Sequence, residues 1–102
     1  MASRVDLQRE LEELFDTKNV YFQPPESVKL RYDCVVYSVR SGDTRFADNK
    51  PYSFRKSYDV TLIRKSPESD WTDKMAMHFP MCKFDRSFKA DNLNHDVFIL
   101  YY

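Results

Sequence analysis

His95 lies in the group of side chains best suited to chemistry. Its neighbours in the sequence are Asp91, Asn92, Asn94 and Asp96. Such a set offers metal ligands or a histidine base oriented by a carboxylate. Metal sites need three or four converging ligands, and the other histidine, His78, falls in a predicted helix. We therefore interpret residues 90–95 as a polar turn that satisfies backbone groups, with no metal and no catalytic role.

A nucleophilic cysteine is the second chemistry that the residue types allow. Cys34 and Cys82 are the two cysteines, and both fall in apolar, strand-like segments. A buried thiol is inert rather than activated. Nothing in the sequence indicates secretion, so we expect free thiols rather than a disulfide. A single glycine also excludes a glycine-rich phosphate loop. The sequence predicts no enzyme, no catalytic residue and no cofactor.

Basic and aromatic residues alternate over residues 31–56, as in a nucleic-acid-binding face. Asp33, Asp43 and Asp48 interrupt this pattern. The net charge is zero, from sixteen basic and sixteen acidic residues, which weakens non-specific attraction to DNA. The same residues fit a protein interface, which is the interpretation we favour. A small nucleic-acid-binding regulatory domain stays open as the alternative.

The elements that position these residues follow from hydrophobic spacing. Apolar residues at helical spacing predict a helix over residues 4–16, and Ser3 with Asp6 three residues later resembles a capping box at its start. Alternating or β-branched runs predict strands at residues 32–39 and 58–63 and at 97–102, with another strand in which Cys82, Phe84 and Phe88 share one side. A second helix is predicted from residue 71 to a point before Pro80. The chain of 102 residues is therefore one domain of the α+β class, in the order αββαββ, with a four-stranded, mainly antiparallel sheet.

A long arm over residues 40–53 joins the first two predicted strands. Structureless loops of more than about 12 residues are uncommon in compact domains and are usually functional or disordered. Phe46 and Tyr52 argue against disorder, and a neighbouring subunit is a natural place to bury their rings. The predicted interface residues in the arm are Arg45, Phe46, Asp48, Asn49, Lys50 and Tyr52. Two prolines make residues 19–26 a connector or an edge segment.

The chain contains the phrases KNVYFQPPES at 18–27, DTRFADNKPY at 43–52, FDR at 84–86, ADNLNHDVF at 90–98 and LYY at 100–102. Together they resemble the tail terminator, or tail completion, proteins of long-tailed bacteriophages. The resemblance runs from about residue 19 to the C-terminus. One departure is Asp33, where the pattern of the family leads us to expect proline before the strand.

The resemblance implies a compact α+β fold, no enzymatic activity, and a ring, usually a hexamer, that caps the tail tube and joins the tail to the head. The implied partners are the tail tube protein and a head-completion or connector protein, and DNA passes through without specific binding. The implied location is the virion, at the tail–head junction, after synthesis in the host cytoplasm. A head-completion or neck ring protein is the alternative within the same class.

Further contact residues follow from the same resemblance. They are Tyr21, Phe22, Pro24 and Pro25 in the connector, and Asp91, Asn92, Asn94, His95 and Asp96 in the predicted turn. No apolar run approaches the roughly 20 residues that a helix needs to cross a bilayer. We therefore expect no membrane partner.

Overall fold

A computed structural model describes the backbone of residues 4–47 and 50–102 and the side chains of residues 4–40 and 57–102. Within these residues the elements are α1 (Arg4–Phe15), β1 (Val20–Phe22), β2 (Cys34–Ala47), β3 (Lys50–Arg64), α2 (Trp71–His78), β4 (Cys82–Ala90) and β5 (Leu93–Tyr101). The strands form one mixed sheet in the order β1-β2-β3-β5-β4. Strand β1 runs parallel to β2, and the other neighbours are antiparallel. The predicted small α+β domain with two helices is confirmed.

The hydrophobic core lies between the helices and one face of the sheet, here called the core face. Helix α1 contributes Leu7, Leu11 and Phe15, which are buried and recur every fourth residue along one side of the helix. Helix α2 contributes Met75, which is fully buried. The strands contribute alternate residues: Val20, Val35, Tyr37, Tyr58, Val60, Leu62, Phe98 and Leu100. Each fully buried side chain of this kind stabilises the fold by roughly 1.5–3 kcal/mol.

A chain of hydrogen bonds fixes α1 against the sheet. The Tyr37 hydroxyl donates to Gln8 Oε1 over 2.6 Å, and Gln8 Nε2 donates to the carbonyl oxygen of Val20 over 2.9 Å. The polar atoms of Tyr37 and Gln8 thus have hydrogen-bond partners where the helix covers them. Buried polar groups need such partners, because burial removes their hydrogen bonds to water. Burial raises the pKa of Tyr37, so the hydroxyl stays protonated as a donor.

The sheet has five strands where the sequence predicts four. The additional strand is β1, in the segment predicted as a connector or an edge, and it lies at the edge of the sheet beside β2. Gln23 ends β1 with a φ of 43°, and its N–H donates to the carbonyl oxygen of Tyr37. Three residues are too short to stand out as a strand by alternation, and their pairing with β2 is not local.

Within its described residues, 40–47 and 50–53, the predicted arm is β-structure rather than a loop. Strands β2 and β3 extend through it and pair with one another as far as Ala47 opposite Lys50. Gly42, Pro51 and the polar residues around them favour turns, so local preference indicated a loop. The backbone ladder between the two strands overrides that preference. The predicted cap residue Ser3 lies outside the described residues.

The β4–β5 hairpin also differs from its prediction. Asp91 and Asn92 form the turn with φ values of 52° and 61°, as a two-residue turn of type I′ requires. Strand β5 begins directly after it, so the predicted turn over residues 90–95 is too long.

A β-bulge changes which side chains share a face of β4. Phe84 lies opposite Phe98, whereas Arg86 lies opposite Val97, so Asp85 is the extra residue. Cys82 and Phe84 therefore lie on the core face, and Phe88 lies on the other face. The prediction that all three share one side is wrong for Phe88, because a one-residue shift moves every later side chain to the opposite face. No helix in the described part of the chain is long and apolar enough to span a membrane.

Candidate interaction site

The distal part of the β2–β3 hairpin projects beyond the rest of the sheet. Strand β5 pairs with β3 only along Ser57–Arg64, and β1 pairs with β2 only along Val35–Tyr37. Residues 41–47 and 50–56, here called the hairpin extension, have ladder partners only in each other within the described chain. Seven residues per strand span about 24 Å at ~3.4 Å per residue. The longest dimension of the molecule is accordingly 50 Å, against 29 and 24 Å.

The hairpin extension is the element most in need of a partner. A two-stranded ribbon is at best marginally stable in water, and further strands or a packed hydrophobic face are needed to stabilise it. Of the residues predicted for an interface, Arg45 and Phe46 lie on its β2 side and Lys50 and Tyr52 on its β3 side. Asp48 and Asn49 lie outside the described residues. The extension therefore brings four of the predicted residues onto one projecting element.

The predicted contact segment around β1 is divided between the domain's own packing and its surface. The centroid of the Phe22 ring lies 5.0 Å from that of the Tyr37 ring, and the Arg4 guanidinium lies 4.6 Å from the centroid of the Phe22 ring. Tyr21 is half-buried, and its hydroxyl accepts from the N–H of Arg31. Pro25 is exposed and Pro24 half-buried. Phe22 is thus mainly a packing residue, while Pro25 remains open to a partner.

Asp96 does not belong to the surface where the sequence placed it. It is 7% exposed, and its Oδ2 atom accepts from Arg64 Nη2 and from Thr72 Oγ1, each over 2.5 Å. Asp96 lies opposite Leu62 in the register of β3 and β5 and so faces the helices. The carboxylate joins β3, β5 and α2, so its role is structural. Asp91 and Asn92 are exposed at the turn.

His95 is part of β5 rather than of a turn. Its ring stacks on Phe88 at 4.7 Å with an angle of 11° between the planes. Its Nδ1 atom lies 3.1 Å from the carbonyl oxygen of Leu93, which can only accept, so Nδ1 carries the proton in this contact. Asn94 Nδ2 lies 3.5 Å from the carbonyl oxygen of Arg64. No group of three His, Cys, Asp or Glu that could hold a metal is found among the described residues.

Both cysteines are free thiols. Cys34 is fully buried and Cys82 half-buried. Burial, together with the negative charge of Asp33, raises the pKa of Cys34 to about 11, and burial raises that of Cys82 to about 11. Both are therefore protonated at neutral pH, and a protonated thiol is a poor nucleophile.

An exposed surface on β4 was not predicted from the sequence. This strand is at the edge of the sheet, and residues 83–89 are all exposed. Its surface, here called the β4 edge, consists of Met81, Lys83, Phe84, Arg86, Phe88 and Lys89. The three apolar side chains are each more than two-fifths exposed. The spacing of Phe84 and Phe88 predicted one shared side of the strand, and the bulge at Asp85 was the feature that the pattern did not contain.

A groove lined by charged and polar residues lies at the C-terminal end of α1. Its volume is about 320 Å³, and it is lined by Arg9, Glu12, Glu13, Asp16, Thr17 and Lys18. Hydrogen bonds from Gln8 and then Lys18 lower the pKa of Glu12, so this carboxylate is ionised. Cations are favoured at a helix C-terminus, yet the last turn of α1 has no basic residue. This groove is called the α1 groove below.

Comparisons of the chain with protein-family models, with curated proteins and with solved structures find no match. The resemblance to phage tail proteins therefore stays a prediction.

Proposed function

We propose that this protein is a non-enzymatic structural subunit of a phage virion that assembles into a ring. In this proposal the ring is the tail terminator, which caps the tail tube and joins the tail to the head. The observation that carries the proposal is the hairpin extension. It projects about 24 Å from the sheet, has no other strand beside it in the described chain, and includes aromatic residues at positions 46 and 52.

The hairpin extension is compatible with a ring, and the resemblance favours a ring over a dimer. An element that projects from one side of a subunit can contact a different surface of its neighbour, and such a contact is heterologous unless two subunits exchange the element reciprocally. Heterologous contacts form a ring when the rotation between subunits closes. The resemblance further implies that the ring contains six copies of the chain. It also implies that the tail tube protein binds on one side of the ring and a head-completion or connector protein on the other. It also adds passage of DNA without specific binding.

A variant without the hairpin extension tests the proposal. Gly42 and Lys56 lie opposite one another, so replacing residues 43–55 by Asn-Gly closes a two-residue hairpin turn at that point. The helices, β1, β4 and β5 are unchanged. We expect the wild-type chain to sediment as a ring and the shortened chain as a folded monomer. Circular dichroism and thermal melting of the shortened chain show whether the domain is folded.

Two outcomes would contradict the proposal. One is assembly of the shortened chain with the affinity of the wild type. The other is a wild-type chain that is monomeric at high concentration and absent from purified virions. Purified tails and heads, probed with an antibody, separate a terminator from the alternative in the same class, since a terminator stays with tails and a head-completion protein with heads.

A DNA titration separates this proposal from the nucleic-acid-binding alternative. We expect binding no tighter than the ~10⁻⁴ to 10⁻⁶ M that is typical of non-specific contacts at physiological salt. Nanomolar, sequence-selective binding would favour the regulatory domain instead.

A further inference from the structure

The β4 edge combines the features of a docking surface. It has one side of a strand unpaired within the described sheet, and Phe84 and Phe88 are 48% and 44% exposed. Its charged residues are Lys83, Arg86 and Lys89 against the single acid Asp85. Asp85 already pairs with Arg86 over 2.5 Å. The two lysines therefore leave the β4 edge with an excess of positive charge.

The α1 groove has the opposite character. Three acids, Glu12, Glu13 and Asp16, line it together with two bases, Arg9 and Lys18, so its formal charge is −1. The backbone at the helix C-terminus adds about half a negative charge. Lys18 neutralises it only in part, because its side chain is 91% exposed while it contacts Glu12 over 3.1 Å. The groove is therefore a concave, negatively charged surface that fits a long cationic side chain.

The two surfaces belong to different elements of the domain. Helix α1 is bound to β1 through Gln8 and Val20, and β1 and β4 are the two edges of the five-stranded sheet. Strands β1 and β4 are four strand spacings of ~4.8 Å apart, which is about 19 Å. A copy can therefore present its β4 edge to one neighbour and its α1 groove to another at the same time.

We infer that the β4 edge is a docking surface for a second copy of this chain, and that it receives the α1 groove of that copy. This inference rests on the proposed ring and states which surfaces meet in it. Phe84 and Lys89 lie on the core face of β4, and Lys83, Arg86 and Phe88 lie on the other face, so the contact runs along the open edge of the strand. Basic side chains of β4 enter the acidic groove there, and the exposed parts of the Phe84 and Phe88 rings lose contact with water. The contact is separate from the one made by the hairpin extension.

Charge favours this head-to-tail arrangement over a symmetric one. If two β4 edges met, their lysines would face one another, and like charges in an interface disfavour the pairing. Two α1 grooves would repel one another for the same reason. Because each copy has one surface of each sign, the contact repeats around a ring.

A charge exchange between two variants tests the inference. The first variant, Lys83→Glu with Lys89→Glu, makes the β4 edge acidic. The second, Glu13→Lys with Asp16→Asn, makes the α1 groove basic. Asparagine is chosen at residue 16 because its φ is 50° and asparagine tolerates this conformation. All four side chains are exposed, so we expect both variants to melt like the wild type.

Association is measured by sedimentation velocity over a range of concentrations. We expect each variant alone to associate at least about tenfold more weakly than the wild type. An equimolar mixture should regain association, because every contact between unlike variants pairs opposite charges. Lys29→Glu with Lys65→Glu is the matched control. It changes the net charge by the same amount as the first variant, at exposed lysines outside the two surfaces, and should associate like the wild type.

The outcomes separate this inference from the proposed function. Wild-type association that neither variant weakens overturns the docking surfaces and leaves the ring proposal standing. Weakening that the mixture does not reverse, or that the control shares, also overturns them. A wild-type chain that stays monomeric and is absent from virions overturns both.

Discussion

Replacing Asp96 by asparagine should strongly destabilise the domain. The side chains of Asp96 and Arg64 are only 9% and 6% exposed. Arg64 Nε has no hydrogen-bond partner among the described atoms, so the ion pair with Asp96 is the main compensation for burying this guanidinium. Removing one partner of a buried ion pair costs about 3–5 kcal/mol. Because asparagine keeps an oxygen that can accept from Thr72, we expect the lower end, about 3 kcal/mol.

Urea denaturation followed by circular dichroism measures this change. Thermal melting gives a second readout. For a domain of this size, 1 kcal/mol lowers the melting temperature by about 4–8 °C, so we expect the melting temperature of the variant to fall by about 12–24 °C. Asp59→Asn is the matched control, because Asp59 pairs with Arg40 over 3.8 Å and both side chains are more than two-fifths exposed. It should cost at most about 1 kcal/mol. Equal stability of the two variants would refute the reasoning.

The free energy of unfolding should fall as pH rises from about 9 to about 11. The thiols of Cys34 and Cys82 lose their protons near pH 9.0 in the unfolded chain, whereas burial raises their pKa values in the folded protein to about 11. Between these two pH values the unfolded chain binds fewer protons than the folded protein, so rising pH favours unfolding. Urea titrations at about pH 8 and pH 10 under reducing conditions check this, and equal stability at the two pH values would contradict it. Tyr102→Phe removes a 2.6 Å hydrogen bond to Glu10 and should cost about 1 kcal/mol in the same assay; an unchanged midpoint would show that the bond contributes nothing. Replacing Phe46 and Tyr52 together by alanine should preserve the fold and weaken assembly by more than about 2 kcal/mol, measured by sedimentation. Unfolding of the isolated domain would instead show that these rings belong to its core.

The helices were predictable because their apolar residues repeat at helical spacing. Leu7, Leu11 and Phe15 are buried as the spacing predicts, and α2 ends before Pro80, whose ring excludes a further helical turn. The central parts of β2 and β3 were also predictable, since their β-branched and aromatic residues favour strands. These features depend on neighbours close in the sequence.

The features that were missed depend on contacts between distant residues. Strand β1 exists because it pairs with β2, and the hairpin extension exists because residues with turn preference form a ladder. The bulge at Asp85 has no signal in the alternation of β4, yet it moves Phe88 to the face away from the helices. Asp96 was assigned to the surface because its neighbours in sequence are polar, whereas its partner Arg64 lies on another strand.

Electron microscopy of the purified wild-type protein tests the central claim most directly. We predict closed rings with a constant number of subunits, which are lost when residues 43–55 are replaced by Asn-Gly. Particles of monomer size at high protein concentration, together with absence of the chain from purified virions, would contradict the account.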